Sequence, residues 1–232
     1  MSALPGARIR IRDIIAGSDP ALRPAHRLLM ASLPAGEVVG IRDWRHSLAE
    51  GSAGVWTDQR WHLLVATRNG QVRGMASGSY LGSHNIGVIG YLALHPSLRG
   101  RGVGPRLRAR LRHRFERDAR DTRGESLAGM LGEVDPANPW LRRLVHGAGA
   151  LALDLPYYQP SLHPLDAPSP LVLYYQPIAV ERRWLPAAEV RQLLFAIWRR
   201  LYRIPRPMHH PEFRLMLKAL RGRRRIGPLA GL

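Results

Sequence analysis

Residues Tyr91 to Leu111 read YLALHPSLRGRGVGPRLRARL, and the reading of this stretch decides the fold. Gly87 to Leu94, GVIGYLAL, is a short apolar run closed by His95 and Pro96, the pattern of a buried strand. Glycines then recur at 100, 102 and 104, around Arg99 and Arg101. Beyond Gly104, Pro105 suits the first position of a helix. Val103, Leu107, Leu111 and Phe115 repeat every four residues, with arginines on the other faces. The glycine-rich turn therefore joins a strand end to a helix start. A helix N-terminus carries unpaired N–H groups and about half an elementary positive charge. Glycines let that backbone approach phosphate oxygens closely, and arginines add charge-assisted bonds. The spacing is neither G-x-x-x-x-G-K followed by Ser or Thr nor a G-x-G-x-x-G on the first strand and helix of a fold. Mononucleotide hydrolysis and hydride transfer lose ground accordingly.

Outward from the turn, the chain alternates strand and helix signals. Ala7 to Asp13 alternates Ile9 and Ile11 with arginines, a half-buried strand, and Ser18-Asp19-Pro20 caps a helix bearing Leu22, Leu28, Leu29 and Leu33. Trp61 to Thr67 and Gln71 to Tyr80 flank Asn69-Gly70, a strong hairpin signal. Downstream, Leu127 to Val134 reads as a strand, Pro139 to Val145 as a short helix, and Leu151 to Tyr158 as another strand. A proline-rich connection, Gln159 to Pro170, precedes a last strand at Leu171 to Tyr175. Tyr-Tyr-Gln-Pro occurs at 157–160 and again at 174–177, which reads as two strand ends closed by proline. Beyond about Val180 the character changes: Pro186 to Tyr202 and Pro211 to Leu220 read as two amphipathic helices, and the chain ends RGRRRIGPLAGL. Residues 1–180 thus form an α/β domain and residues 181–232 a basic helical C-terminal extension.

Composition bounds the function. With 45% apolar residues the chain can build a core, and no apolar run approaches the roughly 18 residues of a membrane span. The start, MSALPGARIRIRD, lacks the apolar stretch of a secretory signal, so a cytoplasmic protein is expected. Absence of cysteine excludes disulfides, thiolate metal sites and thiol nucleophiles. The net charge of +18 rests almost wholly on arginine, Lys218 being the only lysine. GC-rich coding accounts for that bias without a partner; a polyanion or an anionic cofactor accounts for it with one. Arg221 and Arg223 to Arg225 read as a solvated tail or as an RNA contact, and His209 and His210 lack a third ligand for a metal. No metal is expected.

The quoted stretch resembles the acetyl-CoA-binding segment of the GNAT acetyltransferases: a strand, then Arg or Gln, two residues, Gly, one residue, Gly or Ala, then a helix. Arg99, Gly102 and Gly104 match, and residues 7–178 follow the family's order of elements. The resemblance implies a central mixed, mostly antiparallel twisted sheet flanked by helices, an α+β arrangement within the α/β class. It implies acetyl-CoA as cosubstrate and an amine, small molecule or peptide, as acceptor. The backbone at Leu92 and Leu94 would meet the acetyl and pantetheine part, and that of Arg99, Gly100, Arg101, Gly102, Val103 and Gly104 the pyrophosphate. Asn138 falls where many relatives contact the pantetheine, although Asn-Pro is also a turn signal.

Direct acetyl transfer needs a neutral amine near the thioester, donors for the developing oxyanion, and often an acid for the thiolate. Many relatives carry that acid on a tyrosine four residues before a Gly-Phe glycine. If Gly149 is that glycine, the position holds Val145, a departure from the family. Glu133, in MLGEVDP at a central strand end, can accept an amine proton or pair with an arginine. Tyr91 is a proton carrier or a core tyrosine, and His146, beside Val145, is a substitute acid. One of Tyr157 and Tyr158, which alternate across a strand, can line the acceptor cleft. A GNAT fold that binds acyl-CoA as a sensor or interaction module is the alternative to an enzyme. A homodimer and a nucleic-acid partner are both left open.

Overall fold

Strand β1 (Arg10–Ile14) and helices α1 (Leu22–Met30) and α2 (Ile41–Ala53) open the computed structural model, which describes residues 8–162 and 167–232. Three strands follow, β2 (Gln59–Arg68), β3 (Gln71–Leu81) and β4 (Ile86–Leu94), then the longest helix, α3 (Val103–Arg123). Next come β5 (Gly129–Val134), α4 (Trp140–Ala148), β6 (Leu151–Ala152), β7 (Tyr157–Gln159) and β8 (Ser169–Pro177). The C-terminal segment adds β9 (Leu185–Pro186), α5 (Ala187–Ala196), α6 (Pro211–Ala219) and β10 (Arg225–Ile226). The main sheet runs β1-β2-β3-β4-β5-β8-β6, with β7 also on β8. Of its described pairs, β4–β5 is parallel and the others antiparallel.

Local chemistry explains the turns. Asn69 and Gly70 both hold positive φ, 53° and 74°, the type I′ geometry that matches strand twist, and Arg68 pairs with Gln71 across it. The N-cap of α1 is Ala21 rather than a residue of Ser18-Asp19-Pro20, and the Asp19 carboxylate closes the turn ahead of it by accepting the Ala21 N–H at 2.8 Å. The segment read as one strand from Leu151 to Tyr158 is two short strands: Leu153 donates its N–H to Leu173 O of β8 at 2.9 Å and also bridges Pro228, and Pro156 follows before β7 begins. Part of the Gln159 to Pro170 connection, 163–166, lies outside the described residues.

Alternation across β2 and β3 builds two cores. Leu63, Val65 and Met75 pack with Leu22, Leu29 and Trp44 from α1 and α2. Leu64, Ala66 and Ala76 pack with Leu107, Leu111 and Phe115 from α3 on the other face. Each fully buried leucine here contributes about 1.5–3 kcal/mol. Gly87 leaves the space that the Phe115 ring fills, because a Cβ there would overlap the ring.

The change of composition near residue 180 does not coincide with a gap in packing. Val190, Leu193, Trp198, Phe213 and Met216 share one buried cluster with Val88, Leu131, Leu173 and Tyr175 of the sheet. Val88 and Leu131 lie on the face that α1 and α2 cover further along, so this segment completes that layer. The tail arginines are partly engaged: Arg223 bonds the Asp154 carboxylate at 2.8 Å, and Arg225 lies 4.0 Å from the Trp184 ring centre. Among the described residues no helix is long and apolar enough to cross a membrane.

Candidate active site

Strands β4 and β5 pair from Ile86–Gly129 to Ile89–Gly132 and then part. Ser77 opposes Tyr91 while Gly78 opposes Ile89, so Gly90 is an extra residue, a bulge placed where the parallel pairing stops. Beyond it β4 stays with β3 and β5 continues with β8, which leaves an open backbone edge between them. The His95 N–H bonds Arg73 O at 2.9 Å. By alternation Tyr91 and Ala93 also turn their backbone groups to β3, and Leu92 and Leu94 turn theirs to the open edge.

The glycine-rich turn stands at the end of that edge. Gly100 and Gly102 have φ of 71° and 70°, a region L side chains rarely adopt, and Gly102 caps α3. A Cβ on either would meet no atom within 4 Å, so the space in front of the turn is open. No protein acceptor is found, among the described residues, for the N–H groups of Gly100, Gly102, Val103 and Gly104. Arg99 and Arg101 are exposed beside them. Pro105 is the third helical residue rather than the first, still within the turn whose N–H groups lack intrahelical partners. His95 steadies the approach, its Nδ1 accepting the Ser97 N–H at 3.2 Å.

On the α1/α2 face, where the strands part, lies a pocket of about 700 Å³. Its floor is β3 and β4, with Ser77, Ser79 and Gly90; α2 forms one wall and Arg200 to Arg203 the other. Glu133 reaches the pocket from β5, one residue beyond the last β4–β5 pair. Its two carboxylate oxygens accept the hydroxyls of Tyr157 and Tyr202. Burial raises the Glu133 pKa above the usual carboxylate range, and the two hydroxyl donors oppose that rise. Burial and the neighbouring Glu133 hold both tyrosines well above their ordinary value, so they remain donors.

Comparison with known proteins decides the family. The model described as the acetyltransferase (GNAT) family matches residues 26–145, more than half of the chain. The chain belongs to the GNAT acetyltransferase family. By that membership it is an acetyl-CoA-dependent N-acetyltransferase. A GNAT-family protein from Bacteroides thetaiotaomicron is similar at 17% identity and TM-score 0.60, over 84% of this chain and 99% of that one. The ribosomal-protein-S18-alanine N-acetyltransferase of Escherichia coli is similar at 16% identity and TM-score 0.52, over 75% and 96%. yncA from Salmonella typhimurium, solved with acetyl-CoA, is similar at 21% identity and TM-score 0.50, over 76% and 97%. At these identities the likeness shows the shared fold. No curated protein sequence matches the chain.

Within this GNAT chain the remaining sequence candidates fall in different places. The Tyr91 hydroxyl donates to Glu37 O at 2.9 Å and accepts the Val39 N–H at 3.2 Å, tying the α1–α2 connection to β4; burial pushes its pKa up to about 12. His146 is exposed on α4 and does not line the pocket. Val145 is partly buried against the Leu141, Leu144 and Tyr174 cluster and does not line the pocket. Asn138 is exposed, its Oδ1 accepting the Trp140 N–H at 3.0 Å at the start of α4. Among the described residues no three His, Asp or Glu side chains could together hold a metal ion. Sequence reasoning missed α2 and the Tyr202 contact. Glu133 and Tyr202 are 69 residues apart, and no local pattern announces such a pair.

Proposed function

We propose that this chain transfers the acetyl group of acetyl-CoA to a primary amine held in the pocket, with Glu133 accepting the proton that the amine loses. The observation that carries the reading is the place of Glu133: it enters the pocket one residue past the point where β4 and β5 part, enclosed by two tyrosines and with its proton affinity raised. Attack requires the neutral amine, and a carboxylate of raised pKa is a stronger proton acceptor, directly or through one water.

The backbone around the turn fits the cosubstrate. Free N–H groups at Gly100 and at Gly102 to Gly104 suit pyrophosphate oxygens, with Arg99 and Arg101 adding charge. The outward groups of Leu92 and Leu94 suit the amides of the pantetheine arm, as an added strand would. In this reading Asn138 offers its side-chain nitrogen to the same arm. Bound acetyl-CoA supplies the activated thioester. Tyr91 is a positioning residue, because both roles of its hydroxyl are taken by backbone that forms the pocket rim. His146 takes no part.

Calorimetry with acetyl-CoA, followed by thiol release across a panel of amines, tests the proposal. Binding with turnover supports it. Binding without turnover on any amine would favour an acyl-CoA sensor, and no binding would remove the reading altogether.

A further inference from the structure

Three contacts close the pocket's sides. Arg203 donates to both oxygens of Glu50 on α2, at 3.1 and 2.6 Å, and to Ser47 Oγ at 3.3 Å. Arg200 donates to the Asp58 carboxylate at 2.5 Å and to Gln59 Oε1 at 3.0 Å, and sits 4.7 Å from the Trp56 ring centre. On the opposite side Gln159 Nε2 donates to Glu37 O at 3.3 Å, joining β7 to the α1–α2 connection. An extended polypeptide crossing this face would have to pass α2 and residues 200–203, or Glu37 and Gln159. At hydrogen-bond distance neither pair leaves room for a backbone.

The chamber between them has the size and lining of a small-molecule site. Its volume of about 700 Å³ falls in the range that holds compact ligands. Val39, Ile41, Trp56, Trp61, Tyr91 and Tyr202 give it an apolar, largely aromatic wall, and the small residues of the floor leave the space empty. Its charges are arranged for one ammonium group. Glu50 is neutralised by Arg203, which holds its carboxyl below the usual range, and Asp43 stands exposed at the rim. Glu133 has only tyrosine hydroxyls as partners. A second ammonium inside the chamber would meet Arg200 and Arg203, and the remaining carboxylate, Asp43, stands at the exposed rim where solvent and salt screen it.

We infer that the acceptor is a compact monoamine with an apolar, ring-bearing body, and that residues 200–203 of the C-terminal segment make the pocket selective by closing it to polypeptides. The inference rests on the acetyl-transfer reading given above. It extends the active site to a part of the chain whose sequence reads as an appendage.

Steady-state kcat/KM with acetyl-CoA and three probes tests it: phenethylamine, putrescine, and a short N-acetylated peptide with one internal lysine, whose backbone must lie across this face. Phenethylamine should exceed the other two by roughly 10²-fold. Arg203→Ala, which breaks the bridge to Glu50, should raise the phenethylamine KM about 10-fold and increase the peptide rate, with acetyl-CoA affinity reporting that the variant is folded. Glu50→Gln weakens the same bridge from α2 and gives the same signature should Arg203→Ala not fold. A wild-type preference for the peptide or for putrescine overturns the inference, as do unchanged ratios among the three acceptors in a folded variant. If acetyl-CoA binds and the peptide is preferred, the inference alone fails. If acetyl-CoA binds and none of the three amines is acetylated, the inference fails and the wider amine panel decides the proposed function; if acetyl-CoA does not bind, both fail.

Discussion

Tyr202 donates its hydroxyl to Glu133, and this bond joins the C-terminal segment to the point where the sheet opens. The hydroxyl stabilises the charged carboxylate and so lowers a pKa that burial raises. Tyr202→Phe removes that donor. The Glu133 pKa should then rise further, and the acidic limb of the kcat/KM profile for acetyl transfer should move to higher pH. A purely structural role for Tyr202 would leave that limb in place.

Stability carries the same signature. The folded pKa of Glu133 lies above its unfolded value, so between the two the folded state binds more protons than the unfolded state. Stability contributed by this group is therefore full below the unfolded pKa and lost as pH rises through the folded one. Asp19, Glu50 and Glu116, whose values are lowered, act in the opposite sense and lose their contribution as pH falls. Melting temperatures of the parent and Glu133→Gln, compared across pH, isolate the Glu133 part. The parent should lose stability relative to the variant as pH rises above the usual carboxylate range, and a constant difference contradicts the assignment.

At the glycine turn, Gly102→Asp should abolish measurable acetyl-CoA binding while the fold survives. A side chain there meets open space, and the strain of a left-handed residue costs about 1–2 kcal/mol. The carboxylate, however, would stand among the free N–H groups intended for phosphate. Unchanged affinity by calorimetry would show that phosphate is bound elsewhere.

Removing residues 181–232 should give no folded protein, because Val190, Leu193, Trp198, Phe213 and Met216 fill one cluster with the sheet. Trp198→Ala tests this more gently and should cost about 3–5 kcal/mol in a denaturant titration. A soluble, cooperatively folded truncate would show that the segment is dispensable to the core.

How much of this was legible in the sequence follows from the range of each contact. The glycine turn and the Asn69-Gly70 hairpin could be read because a backbone conformation and its neighbours are local. Helix α2 was passed over: IRDWRHSLAEGSA is mostly polar and buries only Trp44 and Leu48. Glu133 was found as a carboxylate at a strand end, but its partners could not be named, since Tyr157 and Tyr202 reach it from 24 and 69 residues away. The Arg203 to Glu50 bridge spans 153 positions. Composition changes near residue 180, and the packing that continues across it depends on which faces meet, which periodicity alone does not say.

The measurement that bears most directly on the account is the pH dependence of acetyl-CoA turnover in the parent and in Glu133→Gln, with acetyl-CoA affinity measured alongside. The amide keeps the carboxylate's shape and cannot take the proton. Turnover should fall by about 10²-fold, the acidic limb should flatten, and acetyl-CoA should bind as before. A variant as active as the parent, with the same limb, would contradict Glu133 as the proton acceptor.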